Sequence, residues 1–171
     1  RYIRITDINE DGSLKDEMKC PSGESVEWEK YKLKKNDLLF ARSGATVGKT
    51  YLYNDDAGDC VYAGYLIKFS IDESIADAVY VKYFTCSDFY KKWVENKQNK
   101  VAQPNINAKQ YGNDLKIPLP PLPTQKKIAS ILDAADNYRQ KTKALIDKYD
   151  QLTQSIFLDM FGDPVRNEKE W

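Results

Sequence analysis

The chain has 171 residues and is 42% hydrophobic, which is enough to bury a core and excludes a disordered tail. Its 26 basic and 26 acidic residues balance, so no overall positive field exists and any surface for a polyanion must arise from local sorting of charge. The absence of histidine excludes a conventional serine or cysteine triad and a zinc site that needs histidine.

Alternating apolar residues predict that the first half of the chain is mostly β. Residues 1–8 alternate like a strand, and residues 38–41 form a short apolar run typical of a buried strand. A glycine-containing loop over residues 42–49 then leads to strands at 50–53 and 61–71, which are rich in β-branched and aromatic residues.

The glycine-containing loop resembles a phosphate-binding site. Residues 43–50 read Ser-Gly-Ala-Thr-Val-Gly-Lys-Thr, one residue away from the P-loop pattern. A P-loop is followed by a helix that points its free amides at the phosphates, whereas residues 51–53 continue as a strand. We therefore predict a hairpin turn, and a nucleotide hydrolase whose Lys49 holds phosphate stays as an alternative.

Two groups of acidic residues invite a metal-site interpretation, and neither is favoured. Residues 7–12 resemble the start of a calcium-binding loop, but Met18 occupies the twelfth position, where a bidentate glutamate belongs. Asp55, Asp56 and Asp59 lie in a glycine-containing stretch that is typical of a solvated turn. The sequence therefore predicts no metal, no cofactor and no catalytic residue.

Cysteine usage and hydropathy predict a cytoplasmic protein. Cys20, Cys60 and Cys86 are odd in number and lack Cys-x-x-Cys spacing, as expected for reduced thiols. No apolar run approaches the roughly 20 residues needed to cross a bilayer.

The following segment predicts helices and then a return to the sheet. From residue 77 to 95 the apolar residues fall at helical spacing, which predicts one or two helices packed on the sheet. Residues 96–110 are polar and loop-like, and residues 114–117 read as a final short strand. The expected fold is an α/β (α+β) domain over residues 1–116 with a mostly antiparallel or mixed sheet.

A proline-rich stretch joins this domain to a long helix. Four prolines between positions 118 and 123 predict a stiff, extended connector over residues 117–123. Thr124 is placed to cap a helix that continues to Phe161. Along it, apolar or small residues recur in steps of three and four, as in a coiled coil: Ile128, Ile131, Ala135, Tyr138, Thr142, Leu145, Tyr149, Leu152 and Ile156. This seam predicts a partner helix, and self-association in the antiparallel sense would satisfy it.

Positive charge and amides concentrate between the predicted helices and the connector. Residues 82–109 contain six lysines and two acidic residues. Nucleic-acid-binding surfaces use cations to contact phosphates and side-chain amides to contact base edges. An ordinary solvated helix face followed by a polar loop explains the same composition. The candidate nucleic-acid contacts in this segment are Lys91, Lys92, Lys97, Asn99, Lys100, Gln103, Asn105 and Asn107, and Arg42 and Ser43 of the glycine-containing loop are added to them.

Three blocks of sequence resemble the specificity subunit of type I restriction-modification systems, and they occur in that family's order. The first comprises residues 37–44 with 47–50, and the second is Gln-Pro-Asn-Ile-Asn at 103–107. The third is Ile-Pro-Leu-Pro-Pro-Leu at 117–122 followed by Gln-Lys-Lys-Ile-Ala at 125–129, and it is the most specific of the three.

The resemblance implies a target-recognition domain followed by a conserved-region helix that acts as spacer and assembly element. It implies binding to double-stranded DNA, with adenine methylation and ATP-driven cleavage carried out by separate modification and restriction subunits. The chain itself would be non-catalytic and would need no cofactor. The resemblance also makes the segment rich in lysines and amides the preferred DNA face.

A complete subunit of that family carries two such units, and one is expected here. Residues 162–171, ending in Trp171, resemble the spacer and the start of a second recognition domain. The lead-in normally found before Tyr2 is missing, so we expect a fragment or a half-size subunit. The alternative from another class is a coiled-coil dimerised interaction module that does not bind DNA.

Overall fold

The fold is seen in a computed structural model that describes residues 1–15, 20, 28–98, 104–163 and 165–166. The chain divides into two units, Arg1–Ala129 and Ser130–Trp171. Among the described residues, none of the helices combines the length and the apolarity required to cross a lipid bilayer.

In the described part of the first unit, five strands form two small sheets. They are β1 (Tyr2–Ile3), β2 (Asp37–Ala41), β3 (Thr50–Leu52), β4 (Val61–Tyr62) and β5 (Leu66–Ser70). An antiparallel sheet has the order β3-β2-β5, and β1 pairs with β4 in parallel. All five residues of β2, including Asp37, are buried, because the strand lies in the centre of its sheet.

The alternation of β2 divides the core between its two faces. Leu39 and Ala41 pack with residues of the N-terminal segment, β3 and β4. Leu38 and Phe40 pack against the helices that follow the sheet. This second cluster also contains Val47, Val81, Tyr90, Val94, Ile106, Tyr111 and Leu115.

Among the residues that the structure describes, four α-helices follow the strands. They are α1 (Ala78–Cys86), α2 (Asp88–Gln98), α3 (Ala108–Asp114) and α4 (Leu122–Phe161). Asp77 caps α1 by accepting a hydrogen bond from the Tyr80 amide at 2.9 Å. The predicted fold, a mixed and mostly antiparallel sheet with helices followed by one long helix, is confirmed.

The N-terminal strands are shorter than the sequence predicts. Only Tyr2–Ile3 of the first eight residues is a strand, because Ile5–Asp7 forms a 3-10 turn in which Asp7 bonds back to Arg4. The predicted strand at 61–71 is two strands, since a turn interrupts it after Tyr62.

Two predictions near the end of the first unit are wrong. Residues 108–110, the end of the segment predicted as loop, begin α3, which starts with a reciprocal capping box between Asn107 and Gln110. Residues 114–117 are not a strand; Asp114 ends α3, and Leu115 and Ile117 instead pack on the helix-side core. Their alternation reflects burial of an extended segment, not pairing in a sheet.

The long helix begins at Leu122, two residues before the predicted start. Thr124 therefore lies inside the first turn, where its amide donates to the Pro121 carbonyl at 2.8 Å, and it does not cap the helix. Pro123 fits this turn because the first amides of a helix have no intrahelical partner. The extended connector is correspondingly shorter, residues 117–121.

Candidate nucleic-acid interface

Three distant segments of the first unit meet beyond the C-terminal end of β2. The Arg42 amide donates to the Tyr65 carbonyl at 3.1 Å, and the Ile106 amide donates to the Arg42 carbonyl at 2.9 Å. The Gly44 amide donates to the Pro104 carbonyl at 3.2 Å. These main-chain bonds form a junction between residues that are far apart in the sequence.

A concavity opens beside this junction. Its volume is about 400 Å³, and two of its lining residues, Ser43 and Asn105, pair in an isolated antiparallel bridge. The lining residues from the described part of the chain are Ile5, Ser43, Gly44, Tyr65, Pro104 and Asn105. Tyr65 was not predicted as a site residue; it is 63% exposed although its side chain is large and mostly apolar.

The two adjacent candidates Arg42 and Ser43 point to opposite sides. Ser43 continues the alternation of Leu39 and Ala41, and it lines the concavity with Ile5, which packs on that core. Arg42 continues the alternation of Leu38 and Phe40 on the opposite face of the strand, and it does not line the concavity. Both residues were predicted as DNA contacts, but only Ser43 lines the concavity.

The glycine-containing loop is a hairpin between β2 and β3. It makes one 3-10 turn at Gly44–Thr46 and is followed by a strand. Gly48 has a φ of +89°, and a Cβ atom there would lie 2.7 Å from a methyl carbon of Val94 on α2. Both constraints require glycine at this position, because the backbone conformation and the close helix exclude a side chain.

Two buried tyrosines hold the ends of this hairpin. The Tyr90 hydroxyl donates to the Gly48 carbonyl at 2.8 Å, and the Tyr111 hydroxyl donates to the Ala41 carbonyl at 3.2 Å. Burial raises the pKa of Tyr111 to about 12 and raises the pKa of Tyr90 well above its ordinary value. Both phenols therefore remain neutral donors at physiological pH. The sequence did not predict this role for either tyrosine.

Lys91 and Lys92 lie on the solvent side of α2. Both are exposed, whereas Tyr90 and Val94 on the other side of the same helix are buried. Among the described residues no carboxylate lies within ion-pair distance of either lysine. The structure thus leaves two adjacent cations available to an anionic partner.

Two other candidates have structural partners. Lys97 contacts Asp114 Oδ2 at 2.5 Å, and its Nζ lies 5.6 Å from the centre of the Trp93 ring. Asn107 caps α3 by accepting from the Gln110 amide at 3.0 Å. These interactions leave less of each side chain for a ligand. Three further candidates, Asn99, Lys100 and Gln103, lie outside the described residues.

The predicted seam of α4 is accessible along its length. Its large apolar members range from 36% exposed at Ile128 to 76% at Tyr138. A second group of exposed apolar side chains, which the seam did not include, comprises Leu132, Ile146, Phe157, Leu158, Met160 and Phe161.

Comparison with known proteins identifies the family. The model of the type I restriction modification DNA specificity domain matches residues 1–151. The chain belongs to this family.

Two curated members of the specificity family align with most of this chain. It is 23% identical over 164 residues to the EcoBI specificity subunit of Escherichia coli, a match that covers 93% of this chain and 34% of that subunit. It is 24% identical over 136 residues to the MjaVIII specificity subunit of Methanocaldococcus jannaschii, covering 80% of this chain and 30% of that subunit. The chain spans about a third of the length of these curated relatives.

Solved structures share the fold of this specificity domain. The HsdS subunit from Thermoanaerobacter tengcongensis matches with a TM-score of 0.63 at 18% identity, covering 95% of this chain and 43% of that one. A structure concerned with complex assembly and conformational transition of the type I R-M system matches with the same TM-score of 0.63 at 20% identity, again covering 95% and 43%.

The sequence blocks that indicated the specificity family have clear places in its fold. Residues 42–44 of the first block pair with residues 104–106, which belong to the second. In the third block, Gln125 is 1% exposed and hydrogen-bonds to the backbone before α1. The blocks therefore build the junction and anchor the start of the long helix.

Proposed function

We propose that this chain reads DNA sequence as a non-catalytic specificity component of a type I restriction-modification complex in the cytoplasm. The family match over residues 1–151 carries the proposal. It is supported by two relatives that are themselves specificity subunits of type I restriction enzymes. Separate modification and restriction subunits then carry out methylation and cleavage, and this chain only recognises the DNA sequence.

The proposed DNA face combines two kinds of interaction. Lys91 and Lys92 are exposed and form no ion pair with a described residue, so they suit phosphates. Ser43 and Asn105 offer a hydroxyl and an amide, which suit base edges. Arg42, on the other side of the strand from Ser43, and Lys97 and Asn107, which have structural partners, stay predicted contacts, together with Asn99, Lys100 and Gln103 outside the described residues.

The proposed assembly element is α4. Its exposed seam fits a second helix, and we propose an antiparallel pair in which Ala135 faces Tyr149 and Tyr138 faces Leu145. Small residues then oppose large ones near both ends of the pair. In a complex with two recognition domains, such a pair would fix the distance between the two DNA half-sites.

The interaction with phosphates can be tested by salt dependence. Replacing Lys91 and Lys92 by alanine should weaken binding of duplex DNA similarly for all sequences. The slope of log affinity against log salt should fall by about 0.9 for each phosphate that is no longer neutralised by a lysine. The measurement is a fluorescence anisotropy titration of the full chain, with its modification subunits, at several salt concentrations.

The matched control removes the adjacent exposed pair Lys34 and Lys35, which precede β2 at the opposite end from the junction. We expect its salt slope to equal that of the unmodified chain. Equal slopes for all three proteins would contradict the proposed role of Lys91 and Lys92. Failure of the unmodified chain to bind duplex DNA at low salt would favour the interaction module without DNA binding.

A further inference from the structure

Three of the segments that line the concavity beside the junction are joined to one another by their backbones. Residues 42–44, Tyr65 and residues 104–106 are joined by main-chain hydrogen bonds of 2.9 to 3.2 Å. The hairpin that contributes Ser43 and Gly44 is fixed at both ends by the buried hydroxyls of Tyr90 and Tyr111. The backbone around the concavity is therefore fixed before a ligand binds, which lowers the entropy cost of binding.

Three side chains around this concavity have unused polar groups. The Ser43 hydroxyl, the Tyr65 phenol and the Asn105 amide make no hydrogen bond within the part of the chain that the structure describes. Neighbouring amides differ: Gln110 is bonded in the α3 cap, and Gln98 donates to the Val47 carbonyl. Asn105 therefore differs from these neighbours, because its amide is free to bind a ligand.

The lining favours a neutral ligand edge over a phosphate. None of its six members from the described residues is charged. The Gly44 amide, which a phosphate would need, is already bonded to the Pro104 carbonyl. Ile5 and Pro104 add apolar surface next to the donors and acceptors. Base edges in the major groove present this combination of hydrogen-bonding groups and, for thymine, a methyl group.

We propose that Ser43, Tyr65 and Asn105 form a base-reading subsite for duplex DNA, an inference that rests on the proposed function and deepens it. Asn105 makes paired hydrogen bonds to one base, and an asparagine amide matches the N6 and N7 atoms of adenine. Ser43 and Tyr65 contact the neighbouring edges. Lys91 and Lys92 position the duplex, while this subsite reads it.

The test is a selection of bound sequences from a randomised duplex pool, using the full chain with its modification subunits. Replacement of Asn105 by alanine should abolish the preference for adenine at one position, a reduction of about 5- to 150-fold, and leave the other positions unchanged. Replacement of Asn105 by aspartate should change the preferred base there from adenine to cytosine, because a carboxylate accepts from cytosine N4.

Tyr65 is tested in parallel with two variants. Tyr65→Ala should reduce base preference at the same or the adjacent position, and Tyr65→Phe distinguishes removal of the hydroxyl from removal of the ring. The control is Asn113→Ala, an exposed asparagine of α3 outside the concavity, and its base profile should match that of the unmodified chain. Thermal unfolding of each variant verifies that the fold is retained.

The outcomes separate this inference from the proposed function. If the unmodified chain selects a sequence and the Asn105 and Tyr65 variants select it with an unchanged profile, the subsite is wrong and the proposed function stands. Uniform weakening at every position would also overturn the subsite, because it indicates an interaction with the DNA backbone. If the unmodified complex selects no sequence, the proposed function itself fails.

Discussion

At the scale of single residues, Asp7 shows how a buried charge is accommodated near the start of the chain. Its carboxylate is 2% exposed and accepts hydrogen bonds from the Arg4 amide at 2.9 Å and the Arg4 guanidinium at 2.6 and 2.9 Å. Burial alone would raise the pKa of Asp7, but the hydrogen bonds and charge of Arg4 outweigh burial and lower it. The folded state therefore favours the ionised carboxylate.

This lowered pKa predicts a decrease of stability in acid. The contribution of Asp7 is fully present above the ordinary aspartate pKa of about 3.9 and disappears as the pH falls through the lower folded value. Asp7→Asn should reduce the free energy of unfolding at neutral pH by about 1 to 3 kcal/mol and should flatten its dependence on pH below about 4. Urea unfolding between pH 2 and 7 measures both effects.

The control for this experiment is Glu95→Gln, which changes an exposed carboxylate on α2. We expect it to alter the unfolding free energy by less than about 0.5 kcal/mol, as is usual for surface substitutions. A pH dependence of Asp7→Asn identical to that of the unmodified chain would show that Asp7 does not stabilise the fold through its charge.

At the scale of elements, Gln125 anchors the first turns of α4. Its Oε1 accepts from the Asp77 amide at 2.9 Å, and its Nε2 donates to the carbonyls of Pro120 at 2.7 Å and Ile75 at 3.1 Å. Ala129, one helical turn further, is also buried. One side chain thus links the helix, the proline connector and the segment before α1.

Removal of this amide should be costly. Gln125→Ala leaves buried backbone groups unsatisfied and should lower the free energy of unfolding by about 2 to 4 kcal/mol. Gln154→Ala, an exposed position on the same helix, should have little effect. Chemical denaturation followed by circular dichroism compares the two. Equal stability of both variants would mean that the hydrogen bonds of Gln125 do not stabilise the first unit.

At the scale of the whole molecule, the exposed seam of α4 predicts self-association. Tyr138→Glu or Leu145→Lys should each make the chain monomeric, because each places charges against an apolar residue of the partner helix. In the proposed register these two positions face each other, so mixing the two variants should restore a dimer that contains one Glu-Lys pair. Sedimentation velocity of each variant and of the mixture measures this.

The unmodified chain should sediment as a dimer at high concentration, and Gln154→Ala should behave in the same way. A monomer at all concentrations would contradict self-association. Two monomeric variants that fail to combine would contradict the antiparallel register and leave open another pairing.

Local patterns were sufficient for much of the fold, although some were misread. The buried run at β2, the hairpin after it and the heptad spacing of α4 each lie within a short stretch of sequence, so the periodicity identifies them. The cap that starts α3 was also visible, as Asn107 followed three residues later by Gln110, but the polar composition of the segment suggested a loop. The apolar alternation at Leu115 and Ile117 misled because extended burial and strand pairing give the same pattern.

The sequence by itself determined the family resemblance, the order of domain and helix, and the seam, because each depends on residues close together in the chain. Only the tertiary structure decided that Ser43, Tyr65 and Asn105 share a concavity and that Tyr90 and Tyr111 hold the hairpin above the core. These relations join distant positions of the chain through single hydrogen bonds. Such interactions leave no periodic trace in the sequence, because they depend on how the chain packs in three dimensions.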